Sequence, residues 1–326
     1  MSQVDMPLAT VSILIPCYNA SHWIAETLEA VLAQTWPALE VIVADDGSSD
    51  DSVEIVRAYQ ARGVKLLSLA NGGAAAARNA AFASSTGAFI QFLDADDLIS
   101  PDKIEMQMAR LSAAPGAVAV CRWGRFTTSV ADVRLDPGPT WTDLSPTAWL
   151  LANWSRGGGM MFPALWLVPR AVIECAGGWN ESLSLNDDGE FFTRVVAASS
   201  QVLFCSEPIA YYRSGISGSL SGLRSRAGWV SGFNALESMV GQLLRLDSSE
   251  SAQATVSRLW QDYAHTCYPW ARDLAEQAMS LARRHGKTAI MPGGGRFFRY
   301  CSFWLGWRMA RVLQEFLRAG KWPRQM

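Results

Sequence analysis

A chain of 326 residues, half of them hydrophobic, is long enough for one large domain or two, each with a substantial core. A net charge of −2 gives no general pull toward nucleic acid or an anionic surface. The six cysteines are scattered without a CxxC pair, which argues against a zinc site and a disulfide framework and points to a reducing, cytoplasmic setting.

The first residues lack the basic start and apolar core of a signal peptide. No apolar run reaches the roughly 18 residues of a membrane-spanning helix. Residues 10–16 (TVSILIP) are continuously apolar, as in a strand covered on both faces. A helix is predicted from about Ser21, a good N-cap, to Gln34, because Ile24, Leu28, Val31 and Leu32 recur at helical spacing before Pro37 ends it. A second buried strand, 39–44, runs into Asp45-Asp46-Gly47-Ser48-Ser49-Asp50. Then come a helix over 51–61, a strand over 64–69, and Asn71-Gly72-Gly73 leading into an alanine-rich helix that carries Arg78 and Asn79. A strand over 88–93 delivers Asp94-Ala95-Asp96-Asp97. This alternation predicts an α/β fold, a mostly parallel sheet flanked by helices.

The middle is less regular. Strands are predicted at 117–121, 164–168, 201–204 and 209–213, with a glycine loop at 157–159 and a helix from Asp187 or Asp188 to about Ala198. From about residue 222 the pattern is helical, broken at Pro292-Gly293-Gly294-Gly295. Residues 296–324 hold seven Lys or Arg and a single acid, Glu315, interleaved with Phe and Trp. That stretch reads either as an amphipathic helix at a membrane interface or as a helix packing its aromatic face on the rest of the protein.

Acidic clusters follow the strands at Asp45/Asp46 and at Asp94/Asp96/Asp97, and a third, Asp187/Asp188, precedes a helix. Open α/β sheets bind ligands beyond the carboxyl ends of their strands. Carboxylates gathered there repel one another unless something positive binds. A divalent cation that also holds a nucleoside diphosphate explains them economically. Turn and cap chemistry is the plain alternative, since Asp and Ser favour helix starts. No Gly-x-Gly-x-x-Gly and no Gly-Lys-Ser/Thr loop occurs, which disfavours dinucleotide binding and ATP hydrolysis.

Four segments in register, Pro16-Cys17-Tyr18-Asn19, Asp45 through Asp50, Asn71-Gly72-Gly73 through Arg78-Asn79, and Asp94-Ala95-Asp96-Asp97, resemble the family 2 glycosyltransferases. A weaker likeness continues through Gly177-Gly178-Trp179-Asn180-Glu181 and Asn186-Asp187-Asp188. The resemblance implies the GT-A type nucleotide-diphospho-sugar transferase fold and an inverting enzyme of polysaccharide biosynthesis. The implied catalytic domain is 1–221, with a nucleotide-sugar half over 10–115 and an acceptor half over 116–221, followed by a helical region over 222–326.

By the same resemblance Pro16, Tyr18, Asn19 and Gly73 surround the donor nucleotide, and Asp45 or Asp46 bonds its base. Arg78 lies near base and phosphates. Asp94 and Asp96 form the DxD pair that holds Mg²⁺ or Mn²⁺, Asp96 the more direct ligand. Asp188 matches the catalytic base, with Glu190 and Asp187 as alternatives. The family commonly has Glu-Asp where this chain has Asp187-Asp188, and many members carry a His after the Tyr-Arg pair that is here Tyr212-Arg213. Arg213 is expected near the phosphates. The implied partners are a nucleotide-sugar donor and a glycan or lipid-linked glycan acceptor; peripheral membrane contact at the cytoplasmic face is one of the two readings of 296–324, and the acidity of the remaining residues disfavours nucleic acid. A nucleotidyltransferase, or a glycosyltransferase-like binding protein without turnover, are the other readings.

Overall fold

The computed structural model describes residues 8–155, 159–216, 225–286, 290 and 295–319. The chain opens with strands and helices in alternation: β1 (Val11–Cys17), α1 (Ile24–Leu32), β2 (Leu39–Asp45), α2 (Ser52–Ala58), β3 (Val64–Ser68), α3 (Ala74–Ser84) and β4 (Phe89–Phe92). There follow β5 (Leu98–Ile99), α4 (Lys103–Leu111), β6 (Val118–Phe126), β7 (Arg134–Leu135), α5 (Pro146–Asn153), β8 (Val168–Pro169), α6 (Arg170–Ala176), α7 (Asp187–Ala198) and β9 (Val202–Arg213). The remainder is helical: α8 (Arg226–Leu246), α9 (Glu250–Cys267), α10 (Arg272–His285) and α11 (Arg296–Ala319).

The first sheet has the order β3-β2-β1-β4-β8, parallel except for the antiparallel edge strand β8. β1 and β2 are buried almost throughout, which is why their sequences read as unbroken apolar runs. A second sheet, β5-β9-β6-β7, pairs β6 with β9 in parallel.

Several predicted elements differ in detail. Ser21 does not cap α1. Trp23 precedes the helix without a side-chain cap, and the Ser21 amide instead donates to Asp50 Oδ2 at 3.0 Å. The strand expected over 164–168 is a short 3-10 turn, Pro163–Leu165, followed by the two-residue β8, as proline at a helical start favours. The two strands expected at 201–204 and 209–213 are one, β9. The ladder passes from Cys121↔Cys205 to Arg122↔Ile209, so residues 206–208 bulge out of register. Pro208 lies in that bulge, where it has no ladder bond to donate.

Two compact units are present. The first comprises Met1–Trp149, Met161–Glu181 and Asp187–Ser217 and contains both sheets. The second comprises Leu150–Met160, Ser182–Asn186 and Gly218–Met326 and contains α8 to α11. The boundary placed between 221 and 222 from sequence, and glycines 157 and 158, lie outside the described residues.

In the first unit an aromatic cluster sits where β4 ends and α7 begins. Trp179 stacks on Phe191 at 4.1 Å, and Phe92 meets both edge-on. Such contacts between large rings fix the relative placement of β4 and α7, and so of the acidic residues at their ends.

Candidate active site

The carboxyl ends of β1, β2 and β4 lie along one edge of the parallel sheet, so Cys17, Asp45 and Phe92 each lead out onto that rim. The loops after β1 and β2 are tied together there. Asn19, held at a positive φ of 48°, accepts from the Ser49 amide at 2.8 Å, and its own amide donates to Ser48 Oγ at 2.9 Å. Pro16 is within β1, and Tyr18 stays 55% exposed beside these loops, available to a ligand. Cys17 is buried, and burial, reinforced by Asp45, pushes its thiol up to about 12, which disfavours the thiolate.

Asp45 and Asp46 are both buried but differ in what remains open. Asp46 is occupied. Its oxygens accept from the amides of Gly72 at 2.7 Å and Gly73 at 2.9 Å, and from the Asn71 side chain. Asp45 Oδ2 accepts from the Ser48 amide at 3.1 Å, whereas its Oδ1 is buried without a hydrogen-bond partner. A buried acceptor left unpaired is costly, and a donor group of a ligand would relieve it.

Gly73 adopts φ 92° immediately before α3, a conformation that favours glycine. The helix therefore starts against Asp46 and carries Arg78 to the other acidic group. Arg78 is buried, donates to Asp94 Oδ1 at 2.7 Å and to Asp187 Oδ2 at 2.9 Å, and lies 4.3 Å from the Trp179 ring. Burial works against its charge, but Asp94 and Asp187 more than offset this and raise its pKa. One residue on, Asn79 accepts from the Trp179 amide and donates to the Trp179 carbonyl and to Glu181. One helix thus joins the Asp46 loop, the DxD loop, the Gly-Gly-Trp-Asn-Glu segment and the start of α7.

Asp94, Asp96 and Asp97 occupy a tight turn after β4, not an extended segment. Burial, and then the charge of Asp94, push the Asp96 carboxyl up to about 6. Asp97 is raised further, again by burial first and then by Asp96 and Asp94. Asp97 Oδ1 accepts from the Arg213 amide at 2.9 Å, and its Oδ2 is buried without a partner. Arg213 is expected at the phosphates from sequence, but its guanidinium is committed to structure. It donates to the Asp96 carbonyl and to Glu26 and lies between the rings of Trp23 and Phe126, with a side chain 2% exposed. It shapes the DxD turn from behind.

At the start of α7 the three candidate bases separate clearly. Glu190 is buried and paired with Arg194 through both oxygens, at 2.8 Å each. Asp187 holds Arg78. Asp188 is half-buried and makes no ion pair of its own among the described residues; one oxygen accepts from the Gly189 amide at 2.7 Å. Burial and then Asp187 push its carboxyl up to about 6, despite the opposing pull of Arg78.

A divalent cation fits the DxD turn. Asp94 and Asp96 are hard oxygen donors, and no salt bridge to Asp96 exists among the described residues. Asp94 already pairs with Arg78. Among the described residues no group of three or more acidic, His or Cys side chains is gathered to cage a metal.

Sequence reasoning missed Glu26, Trp23, Phe126 and Arg194. Glu26, Trp23 and Phe126 act through Arg213, far away in the chain, and only the Glu190–Arg194 spacing of four residues carried a local signal.

The model of the family described as Glycosyl transferase family 2 matches residues 12–176, half of the chain, and the chain belongs to that family. It is 36% identical over 160 residues to the uncharacterized glycosyltransferase YibD of Escherichia coli (strain K12), a match covering 44% of this chain and 46% of that protein. It is 42% identical over 102 residues to the UDP-Glc:alpha-D-GlcNAc-diphosphoundecaprenol beta-1,3-glucosyltransferase WfgD of Escherichia coli, covering 31% of this chain and 40% of that one. The matches thus span less than half of these relatives' lengths. In fold, the chain resembles S. aureus TarS 1–349 in complex with UDP-GlcNAc (TM-score 0.69, 17% identity, 97% of this chain and 93% of that one). It also resembles the mannosyltransferase PcManGT from Pyrobaculum calidifontis in complex with GDP-Man and Mn²⁺ (TM-score 0.57, 18% identity, 95% and 85%). The fold is the GT-A type expected from sequence.

Proposed function

We propose that this protein moves a sugar from a nucleoside-diphosphate donor to a hydroxyl of a glycan or lipid-linked glycan, inverting the anomeric centre, with Asp188 as the base. The observation that carries this reading is the contrast at the start of α7. Glu190 is neutralised by Arg194 and Asp187 by Arg78, while Asp188 keeps a carboxylate whose pKa lies near 6. A general base works best when its pKa is close to the working pH.

Asp45 Oδ1 receives a donor N–H of the base, because it is the buried acceptor without a partner. Asp46 and Gly73 hold the loop that faces the nucleotide. Asp94 and Asp96 hold the divalent cation, which when bound offsets the charge growing on the departing diphosphate. Arg78 fixes Asp94 and Asp187 together, so the donor-side carboxylate and the start of α7 keep one spacing. Asp188 takes the acceptor's proton as its oxygen attacks the sugar from the face opposite the leaving group. A single displacement inverts the centre and needs no covalent intermediate on the protein. The name of WfgD, which gives a diphosphoundecaprenol-linked acceptor, supports a lipid-linked acceptor here.

The test is incubation with UDP- and GDP-sugars and Mn²⁺, reading nucleoside diphosphate release and the anomeric configuration of the product. Release that depends on Mn²⁺, with an inverted product, is expected. Pyrophosphate release from a nucleoside triphosphate would point to a nucleotidyltransferase. Nucleotide binding without either reaction would leave a binding protein.

A further inference from the structure

Helix α11 is apolar on two sides. Phe298, Cys301 and Ala310 are buried together, with Leu313 packed against them. On the outside, Tyr300 is 68% exposed, Phe303 77%, Trp304 69%, Leu305 56% and Met309 54%. Positions 300, 303 and 304 lie three and four apart, so on a helix they form one stripe. The inner face accounts for helix packing, and the outer stripe has no use in the protein's own core. Contiguous exposed aromatics of this kind mark a surface that something covers.

The charge says what covers it. Residues 296–324 carry +7 and −1, a net of +6, within a chain of net −2, so the remaining residues sum to −8. Arg296 and Arg299 are exposed on the same helical segment as the stripe, Arg308 is exposed beyond the break at Gly306, and the one acid, Glu315, is buried. A second copy docked through the same face would set arginines against arginines, since a two-fold contact pairs a patch with itself. A surface both anionic and apolar beneath its charge complements the helix on both counts. Among the described residues no helix is long and apolar enough to cross a membrane, and α11 is broken at Gly306, where φ is 73° and ψ 154°.

We infer that the outer face of α11 docks on an anionic phospholipid bilayer, with Phe303 and Trp304 entering the headgroup–acyl boundary and Arg299 and Arg308 meeting lipid phosphates. This goes beyond the catalytic reading and stands independently of it. The sequence reading set membrane contact and packing as alternatives for 296–324. Among the described residues the inner face packs, and the outer face is left for the bilayer. Residues 320–324 lie outside the described residues.

The experiment is co-sedimentation of the full chain with phosphatidylcholine vesicles, with and without phosphatidylglycerol, at low and high salt. The expected result is binding that requires phosphatidylglycerol and weakens with salt. The double variant Phe303→Ser/Trp304→Ser, and separately Arg299→Glu/Arg308→Glu, should each lower partitioning by about tenfold or more. Both should keep the parent melting temperature, because the altered side chains are exposed. Point variants are preferred to truncation, which would uncover the partners of Phe298 and Ala310. No vesicle binding by the parent, or equal binding by the double aromatic variant, would overturn the inference. So would a concentration-dependent dimer that Phe303→Ser/Trp304→Ser abolishes.

Discussion

Asp188 and Glu190 are two positions apart on one helix, and their surroundings give them opposite fates. Arg194, one turn along, takes both oxygens of Glu190. Among the described residues no cation pairs with Asp188 in this way. Asp188→Asn should lower kcat by about 10²–10⁴-fold, the usual worth of a positioned base, with donor affinity retained. Glu190→Gln should keep most of the activity and instead lose roughly 1–3 kcal/mol of stability, because Arg194 is left without its counter-charge. Steady-state kinetics with urea titrations separate these outcomes, and the reverse pattern would assign the base to Glu190. The pH profile carries the same information. A base acts only when ionised, so with the Asp188 carboxyl raised to about 6 the rate should fall as pH drops through that value and level off above it. An acid limb near 4 would contradict this environment.

Elements inherit their placement from a few polar ties as well as from apolar burial. Glu40 on β2 accepts from Ser12 Oγ on β1 at 2.6 Å, from Lys65 Nζ on β3 at 2.7 Å and from the Thr86 amide before β4 at 2.7 Å. Burial alone would raise its pKa, but Lys65, Ser12 and Thr86 outweigh it and bring the carboxyl down to about 2. A carboxylate depressed in the folded state adds stability above its unfolded pKa and loses it as pH falls through the folded one. For a fall from the ordinary 4.5 to about 2 the contribution is on the order of 3 kcal/mol at neutral pH, lost between about pH 4.5 and 2. Urea unfolding across that window should show the loss in the parent and a flatter curve in Glu40→Gln. Equal slopes would remove Glu40 from the account. The strand that carries it was legible because β2 is buried and apolar. The tie itself was not, since Ser12, Lys65 and Thr86 are far from Glu40 along the chain.

At the scale of the whole molecule, the proposed function makes stability depend on ligand. Asp94, Asp96 and Asp97 raise one another's cost, and a cation with a nucleoside diphosphate would relieve it. A ligand bound only by the folded state stabilises it by mass action, about 2.7 kcal/mol at a hundredfold excess over Kd. UDP or GDP with Mn²⁺ should therefore raise the melting temperature by roughly 5–10 °C for a unit of this size. Asp96→Ala should abolish the metal-dependent part of that shift while melting no lower than the parent without ligand, since it removes a crowded charge. An unchanged shift in Asp96→Ala would take Asp96 out of the cation site. The second unit makes no part of this prediction. Its helices keep their own core, in which Tyr263 donates to the Trp229 carbonyl and Phe233 meets Trp260.

Sequence alone determined the alternating first half, the acidic strand ends, the family and the two rival characters of 296–324. Those features are local: strand burial writes itself as an apolar run, and loop chemistry as short motifs in register. Tertiary structure decided which of two neighbouring carboxylates is left less satisfied among the described residues: Asp45 keeps an unpaired oxygen where Asp46 does not, and Asp188 lacks the ion pair that Glu190 has. It also turned Arg213 from an expected phosphate ligand into the support of the DxD turn, and showed that α11 has both an inner and an outer apolar face. A carboxylate's availability depends on the groups the fold brings to it, and those groups are mostly distant along the chain.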